Sequence, residues 1–235
     1  MRALTWNVLH RVHGERHGEE AVKTWPDEAR RTRRILELLD HALTKERCEA
    51  VLLQEVSGDV LAALRERFDA GFSVVNHRYV RAPRPTPSVD DASEHLVVIA
   101  PKGSRTAQAS GYASDGGKGF LAVTTPGGAT VVSTHVSWGD KRADQLVALG
   151  QALDRWTGLV VVGGDFNVEL PPVQQALRAH SLVLPADGLA TREAEGRRLF
   201  IDHLLVRAGE LKTLRVLEHE GLSDHRPVLG DAVST

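Results

Sequence analysis

Short, β-branched apolar runs recur along the whole chain, most of them closing on a polar side chain, and nothing else limits its possible folds so strongly. They are Ala3-Leu4-Thr5-Trp6 before Asn7, Val51-Leu52-Leu53 before Gln54-Glu55, Leu96-Val97-Val98-Ile99, Val131-Val132 before Ser133-Thr134-His135, Leu159-Val160-Val161-Val162 before Gly163-Gly164-Asp165, and Leu204-Leu205-Val206. Runs this short, bounded by Gly, Pro and polar clusters, read as buried strands. Amphipathic stripes lie between some of them: Ile35, Leu36, Leu38, Leu39 and Leu43, then Leu61, Leu64 and Phe68, then Leu146, Leu149 and Leu153. Their i, i+3, i+4 spacing predicts helices. Helices laid over buried strands give a layered α/β architecture.

The chain has 235 residues, 42% hydrophobic and 26% charged, which suits one globular domain over residues 1–235. Its 29 Lys+Arg against 31 Asp+Glu leave a formal net charge of -2, so a basic protein that coats nucleic acid is excluded while a local basic patch is not. Cys48 is the single cysteine, which rules out an internal disulfide and cysteine-rich metal sites and fits a reducing compartment. No signal-peptide pattern follows Met1, and no apolar stretch approaches the roughly 20 residues that cross a bilayer. The expectation is a cytoplasmic monomer without membrane contact.

Three segments resist the strand and helix patterns. Ala82 to Ser93, with Pro83, Pro85 and Pro87, reads as a loop and a candidate for motion. Gly116-Gly117-Lys118-Gly119 lacks the Ser/Thr and the following helix of a P-loop and reads as a hairpin turn. His10, His13 and His17, with Arg11 and Arg16, could line a pocket or bind a second phosphate of a substrate. Gly14 and Gly18 favour a solvated loop there.

Chemistry concentrates where polar side chains follow strands, because sheet ends gather residues from distant parts of a chain. In an extended segment Asp165 and Asn167 face one spot while Phe166 points into the core. The same Gly-Asp-x-Asn pattern is also an ordinary turn. Glu55 follows an apolar strand, so its carboxylate either meets a cation or turns out to solvent. In Ser223-Asp224-His225 the acid and the imidazole can serve different partners, Asp224 a metal and His225 a proton near neutral pH. Asp202 could orient such a histidine. His135 could hydrogen-bond a phosphate oxygen, or be a satisfied structural group.

Taken in order, Thr5-Trp6-Asn7-Val8, Leu53-Gln54-Glu55-Val56, Ser133-Thr134-His135, Gly164-Asp165-Phe166-Asn167, Ile201-Asp202-His203 and Leu222-Ser223-Asp224-His225-Arg226-Pro227-Val228 resemble the endonuclease/exonuclease/phosphatase superfamily of deoxyribonuclease-I-like hydrolases. The resemblance implies a four-layer α/β sandwich: two mixed β-sheets packed face to face with helices outside. It also implies Glu55 as the principal ligand of Mg²⁺ or Mn²⁺, with Asn7 and Asp224 close to the ion. Asp165 then orients or deprotonates the attacking water, Asn167 holds it or a phosphate oxygen, and His225, oriented by Asp202, contacts phosphate. His135 matches a histidine of the nuclease, sphingomyelinase and inositol-phosphatase branches.

Two departures from the family pattern bear on substrate. Glu94-His95 stands where most members have a Gly-rich strand, and Lys118 stands in place of an arginine, as a phosphate contact or a lysine in solvent. The implied activity is metal-dependent phosphoester hydrolysis, with in-line attack by a metal-linked water on a small phosphorylated molecule or short nucleic acid. An endo- or exonuclease is the alternative, and a non-catalytic binding module on the same scaffold a further one. Lys118 and His10 are the candidate substrate contacts.

Overall fold

The computed structural model describes residues 1–180, 182–183, 190–194 and 196–234. In chain order the elements are β1 (Arg2–Asn7), α1 (Arg11–His17), α2 (Glu20–Thr24), α3 (Glu28–Thr44), β2 (Ala50–Ser57), α4 (Gly58–Phe68), β3 (Phe72–Arg78) and β4 (Glu94–Pro101). There follow β5 (Arg105–Tyr112), β6 (Asp115–Thr124), β7 (Thr130–His135), α5 (Arg142–Leu153), β8 (Val160–Asp165), α6 (Leu170–Leu177) and β9 (Leu182–Val183). The chain closes with β10 (Arg192–Ala194), β11 (Arg197–Leu199), β12 (Asp202–Arg207), β13 (Gly209–Val216) and β14 (Val228–Ser234).

Two six-stranded sheets result, ordered β13-β14-β1-β2-β4-β3 and β5-β6-β7-β8-β12-β9, besides the β10-β11 hairpin. Each is mixed, with one parallel pair at its centre, β1 beside β2 and β7 beside β8. Strand alternation assigns the faces. Val51 and Leu53 turn outward to Ile35, Leu39 and Leu64 under α3 and α4. Val160 and Val162 turn outward to Leu146, Leu149 and Val173 under α5 and α6. Leu52, Val98, Leu121, Val131, Val161 and Leu204 fill the space between the sheets. The architecture is therefore the four-layer sandwich, helix, sheet, sheet, helix. Gly163 is required where the sheets come closest, since a Cβ there would lie 2.7 Å from Leu52 Cδ1 and 2.9 Å from Thr5 Cβ. Leu52, fully buried between the sheets, cannot be truncated without leaving a hole that rigid strands do not close. Leu52→Ala is expected to destabilise by about 2–5 kcal/mol, read as the shift in denaturant midpoint at constant slope.

Two sequence expectations are corrected. Residues 11–17 form helix α1 rather than a loop. Gly14 packs so closely that a Cβ would lie 2.7 Å from Val22 Cγ2, and Gly18, at φ 67, ends the helix in the left-handed conformation that glycine favours. Gly116 to Gly119 lie inside β6, and the turn is at Ala113-Ser114, between paired Tyr112 and Asp115. The proline segment does lack regular structure, but its Val89 packs on Val12 of α1, and Gly58 N–H donates to the Asp91 and Ser93 carbonyls. Among the described residues no helix is long and apolar enough to cross a membrane.

Candidate active site

The two parallel pairs end at the same edge of the sandwich, and this brings the polar strand ends together. Asn7 is level with Gln54, and His135 with Asp165. Asn7 Nδ2 donates to Glu55 Oε1 and to Asp165 Oδ2, both at 3.1 Å, while its Oδ1 accepts from Leu9 N–H. His135 Nε2 lies 3.2 Å from Asp165 Oδ2 and 3.8 Å from Glu55 Oε1. One carboxylate from each sheet thus meets across an amide and an imidazole.

Glu55 reaches this point through a distorted backbone. The β2-β4 register shifts between Leu53 and Val56, and Glu55 adopts φ 56, in the left-handed region. A bulge of this kind re-aims one side chain, here into the site, at a cost of about 1–3 kcal/mol in strain. Asn167, at φ 51, is likewise left-handed, so the extended geometry expected for Asp165 to Asn167 is not what aligns them. A turn does so, closed by Asn167 N–H donating to Asp165 Oδ1 at 2.8 Å. Asn167 Nδ2 still sits 3.4 Å from His135 Nε2, and Phe166 is fully buried as expected.

A second group stands beside the first. Asp202 pairs with Asp165 across β12 and β8, and its Oδ2 is 2.8 Å from His225 Nδ1. His225 Nε2 lies 3.8 Å from both Asp165 Oδ2 and Asp224 Oδ2. Asp224 is also paired with Arg192 at 2.7 Å. Ser223 Oγ donates to the Asn7 carbonyl and Trp6 Nε1 to the His225 carbonyl. Arg31, from α3, donates to the carbonyls of Val8, Leu9 and Leu222. One buried guanidinium therefore clamps both loops that carry site residues, and nothing in its local sequence marks it. Arg192 was missed for the same reason, lying in a segment without an apolar run.

Burial of Glu55 and Asp165 opposes ionisation, but nearby cationic groups outweigh it. His13, His135, Lys118 and the Asn7 hydrogen bond hold Glu55 well below the usual carboxylate range. His225, His135 and Lys118 do the same for Asp165. Burial also works against the charged form of His225, yet Asp202, Asp224 and Asp165 raise it to about 10. Burial pushes the Asp202 carboxyl up, and the facing His225 only partly offsets this.

Glu55, His135, Asp165, Asn167, Asp224 and His225 form the floor of a cavity of about 920 Å³, bounded also by Lys118, Arg192 and the proline segment. Lys118 is not a lysine in open solvent: it is half-buried, with Nζ 2.5 Å from His135 Nε2. His10 does not line the cavity. Its buried ring caps α1 by accepting from Val12 N–H, and burial lowers its pKa. His13, Arg16 and His17 of that cluster line the cavity, and His13 is held by the buried Glu94 at 3.0 Å. The acid that replaces the Gly-rich strand start thus builds one wall.

The donor set fits a hard divalent cation. Ligand atoms of Glu55, His135 and Asp165 lie within 4.8 Å of one another, as do those of Asp165, Asp202 and His225. Carboxylate oxygens are what Mg²⁺ and Mn²⁺ prefer. Asn167, on the same wall, leaves its buried Oδ1 without a hydrogen-bond partner, and such an atom calls for a donor such as water.

His203, next to Asp202, faces the opposite side of β12, packing against Phe166 and bonding the Val168 carbonyl. Burial lowers it to about 4, and burial also lowers His95 to about 4. In the unfolded chain both take up protons below about pH 6.5. Stability conferred by their neutral forms is therefore present above pH 6.5 and is lost as pH falls toward 4. His225 acts oppositely: its contribution is full below about pH 6.5 and disappears as pH rises toward 10. The guanidinium midpoint is expected to peak near neutral pH, and His203→Gln to flatten its acid flank. Equal midpoints at pH 7 and pH 4.5 in the unmodified protein contradict this assignment.

A four-layer sandwich with carboxylates, amides and imidazoles gathered at one edge defines a class of phosphoester hydrolases. The sequence pattern described as the Endonuclease/Exonuclease/phosphatase family matches residues 4–225, and the chain belongs to that family. Solved structures agree in fold. The human Nocturnin catalytic domain with bound sulfate aligns at TM-score 0.71 and 16% identity, over 100% of this chain and 93% of that one. D. rerio TDP2 complexed with a single-strand DNA product aligns at 0.69 and 15%, over 98% and 97%. The Bacteroides thetaiotaomicron mannosyl-6-phosphatase aligns at 0.66 and 12%, over 99% of each chain. No functionally curated protein matches the chain by sequence.

Proposed function

We propose that the chain, as one catalytic domain, is a phosphoester hydrolase that works with Mg²⁺ or Mn²⁺. The observation that carries this reading is the pair Glu55 and Asp165, joined by Asn7 Nδ2 in front of His135. Glu55 would hold the ion, with Asn7 and Asp224 at its flank. When bound, the ion neutralises phosphate charge and polarises a phosphoryl oxygen.

The remaining work falls to side chains. Asp165, buried and ionised, orients water and accepts its proton, while the unpartnered Asn167 Oδ1 accepts the other hydrogen. His225 is anchored through Nδ1 by Asp202, which leaves Nε2 to donate to a phosphoryl oxygen. Lys118 and His135 receive a second oxygen. The near-balanced net charge and 5% aromatic content favour a small phosphorylated substrate over nucleic acid. A nuclease remains the second reading, because arginines do line the cavity mouth.

The test is turnover, with Mn²⁺ and then Mg²⁺, of a panel of phosphomonoesters, phosphodiesters and single- and double-stranded oligonucleotides, with Asp165→Asn as the blank. Metal-dependent hydrolysis of at least one panel member, absent from the blank, is expected. No turnover of any member, or equal turnover by the blank, rejects the reading.

A further inference from the structure

The floor of the cavity is matched in charge, but its mouth is not. Within it Glu94 is paired with His13 at 3.0 Å, and Arg192 with Asp224 at 2.7 Å and Glu19 at 3.1 Å. At the mouth Arg81 is paired with Asp115 at 3.0 Å. Arg16 and Arg84 line the same cavity, are exposed, and have no ion-pair partner among the described residues. A helix C-terminus favours a cation, which accounts for Arg16 in the last turn of α1. It does not account for Arg84, which comes from the proline segment.

That segment is seated on α1. Val89 packs on Val12, four residues before Arg16. Two unneutralised guanidinium groups are thereby carried by one packed unit at the rim. The cavity, about 920 Å³, is in the range that holds a whole ligand, far more than one phosphoryl group needs.

We infer that α1 and the proline segment form a second anion site, where Arg16 and Arg84 take a further phosphate of a compact, bisphosphorylated substrate. The inference rests on the hydrolase reading for the first phosphate. Planar guanidinium groups suit phosphate oxygens, which they meet in bidentate pairs. A compact substrate is favoured over a nucleic acid strand because both arginines line the same cavity as Glu55 and Asp165, on a protein of net charge -2.

Calorimetric titration at low salt in the presence of Mn²⁺ tests this, with Asp165→Asn as the background so that no turnover heat is added. The probes are alkane-α,ω-diol bisphosphates of increasing chain length, alkyl monophosphates of matched length, and a short single-stranded oligonucleotide. One chain length of bisphosphate is expected to bind about tenfold more tightly than its monophosphate, equivalent to about 1.4 kcal/mol. Arg16→Ala and Arg84→Ala should each remove most of that ratio, and Arg33→Ala, on α3 outside the cavity, none of it. The inference is overturned if no length gives an advantage, if the advantage survives both substitutions, or if the oligonucleotide binds tightest through the same arginines. Failure of the hydrolase reading would show separately, as absence of turnover across the phosphoester panel with the bisphosphate ratio intact.

Discussion

Asp165→Asn should lower kcat/KM by about 10³-fold on whichever phosphoester is turned over, within the 10²–10⁴ range of a lost general base. The side chain is 2% exposed and sits between two imidazoles, so the change reaches the reacting centre without disturbing a surface. An amide of the same shape cannot accept the water proton. Its nitrogen would also face Asn7 Nδ2, donor against donor, where the carboxylate accepts at 3.1 Å. The fold should survive, because the Asp165 side chain bonds the turn through Oδ1, which an amide oxygen can replace. Circular dichroism checks this, and steady-state kinetics decide the role: a folded variant within tenfold of the original activity removes Asp165 from the mechanism.

Glu55 carries the second large effect, and it has two separable parts. Glu55→Gln should weaken Mn²⁺ binding by about 100-fold or more, since even residues that merely support a ligand cost 10–100-fold when changed. The charge is lost, and an amide can accept from only one of the two donors that Oε1 and Oε2 now satisfy, Asn7 Nδ2 and His10 N–H. Glu55→Gly removes the carboxylate and also relieves the left-handed backbone at φ 56. That variant should be inactive yet more stable than the original by about 1 kcal/mol, the low end of what such strain stores. Calorimetry reads the first effect and denaturant midpoints the second. A Glu55→Gly protein less stable than its parent shows that no strain is stored there.

The elements legible in the sequence were those whose burial is two-sided or whose stripe is complete. β2, β4 and β8 read directly because apolar side chains occupy both of their faces, and α3 because Ile35, Leu39 and Leu43 repeat at helical spacing. β13 was not legible: its exposed Glu210, Lys212 and Thr213 give no apolar run, and pairing with β14 holds it in place. α1 is not legible in the sequence because Gly14 is unfavourable in an isolated helix. Close packing against Val22 and Leu9 supplies what propensity does not.

In the site, strand-end residues were legible because an acid or imidazole directly after a buried run has few structural uses. Arg31, Arg192 and the partnership of Glu94 with His13 were not, because each acts across a long separation in sequence. Equally, no local pattern distinguishes His10, a buried helix cap, from His135, which stands among the floor carboxylates.

The sequence by itself determined which residue types stand at the strand ends and which runs are buried strands, because apolar runs are properties of a few neighbouring residues. Tertiary structure alone decided that Asn7 touches both Glu55 and Asp165, 48 and 158 residues away, and that Glu55 turns inward through a bulge. Those outcomes depend on how two sheets pack and in what register their central strands end. That energy is distributed over the whole core, with no local signature.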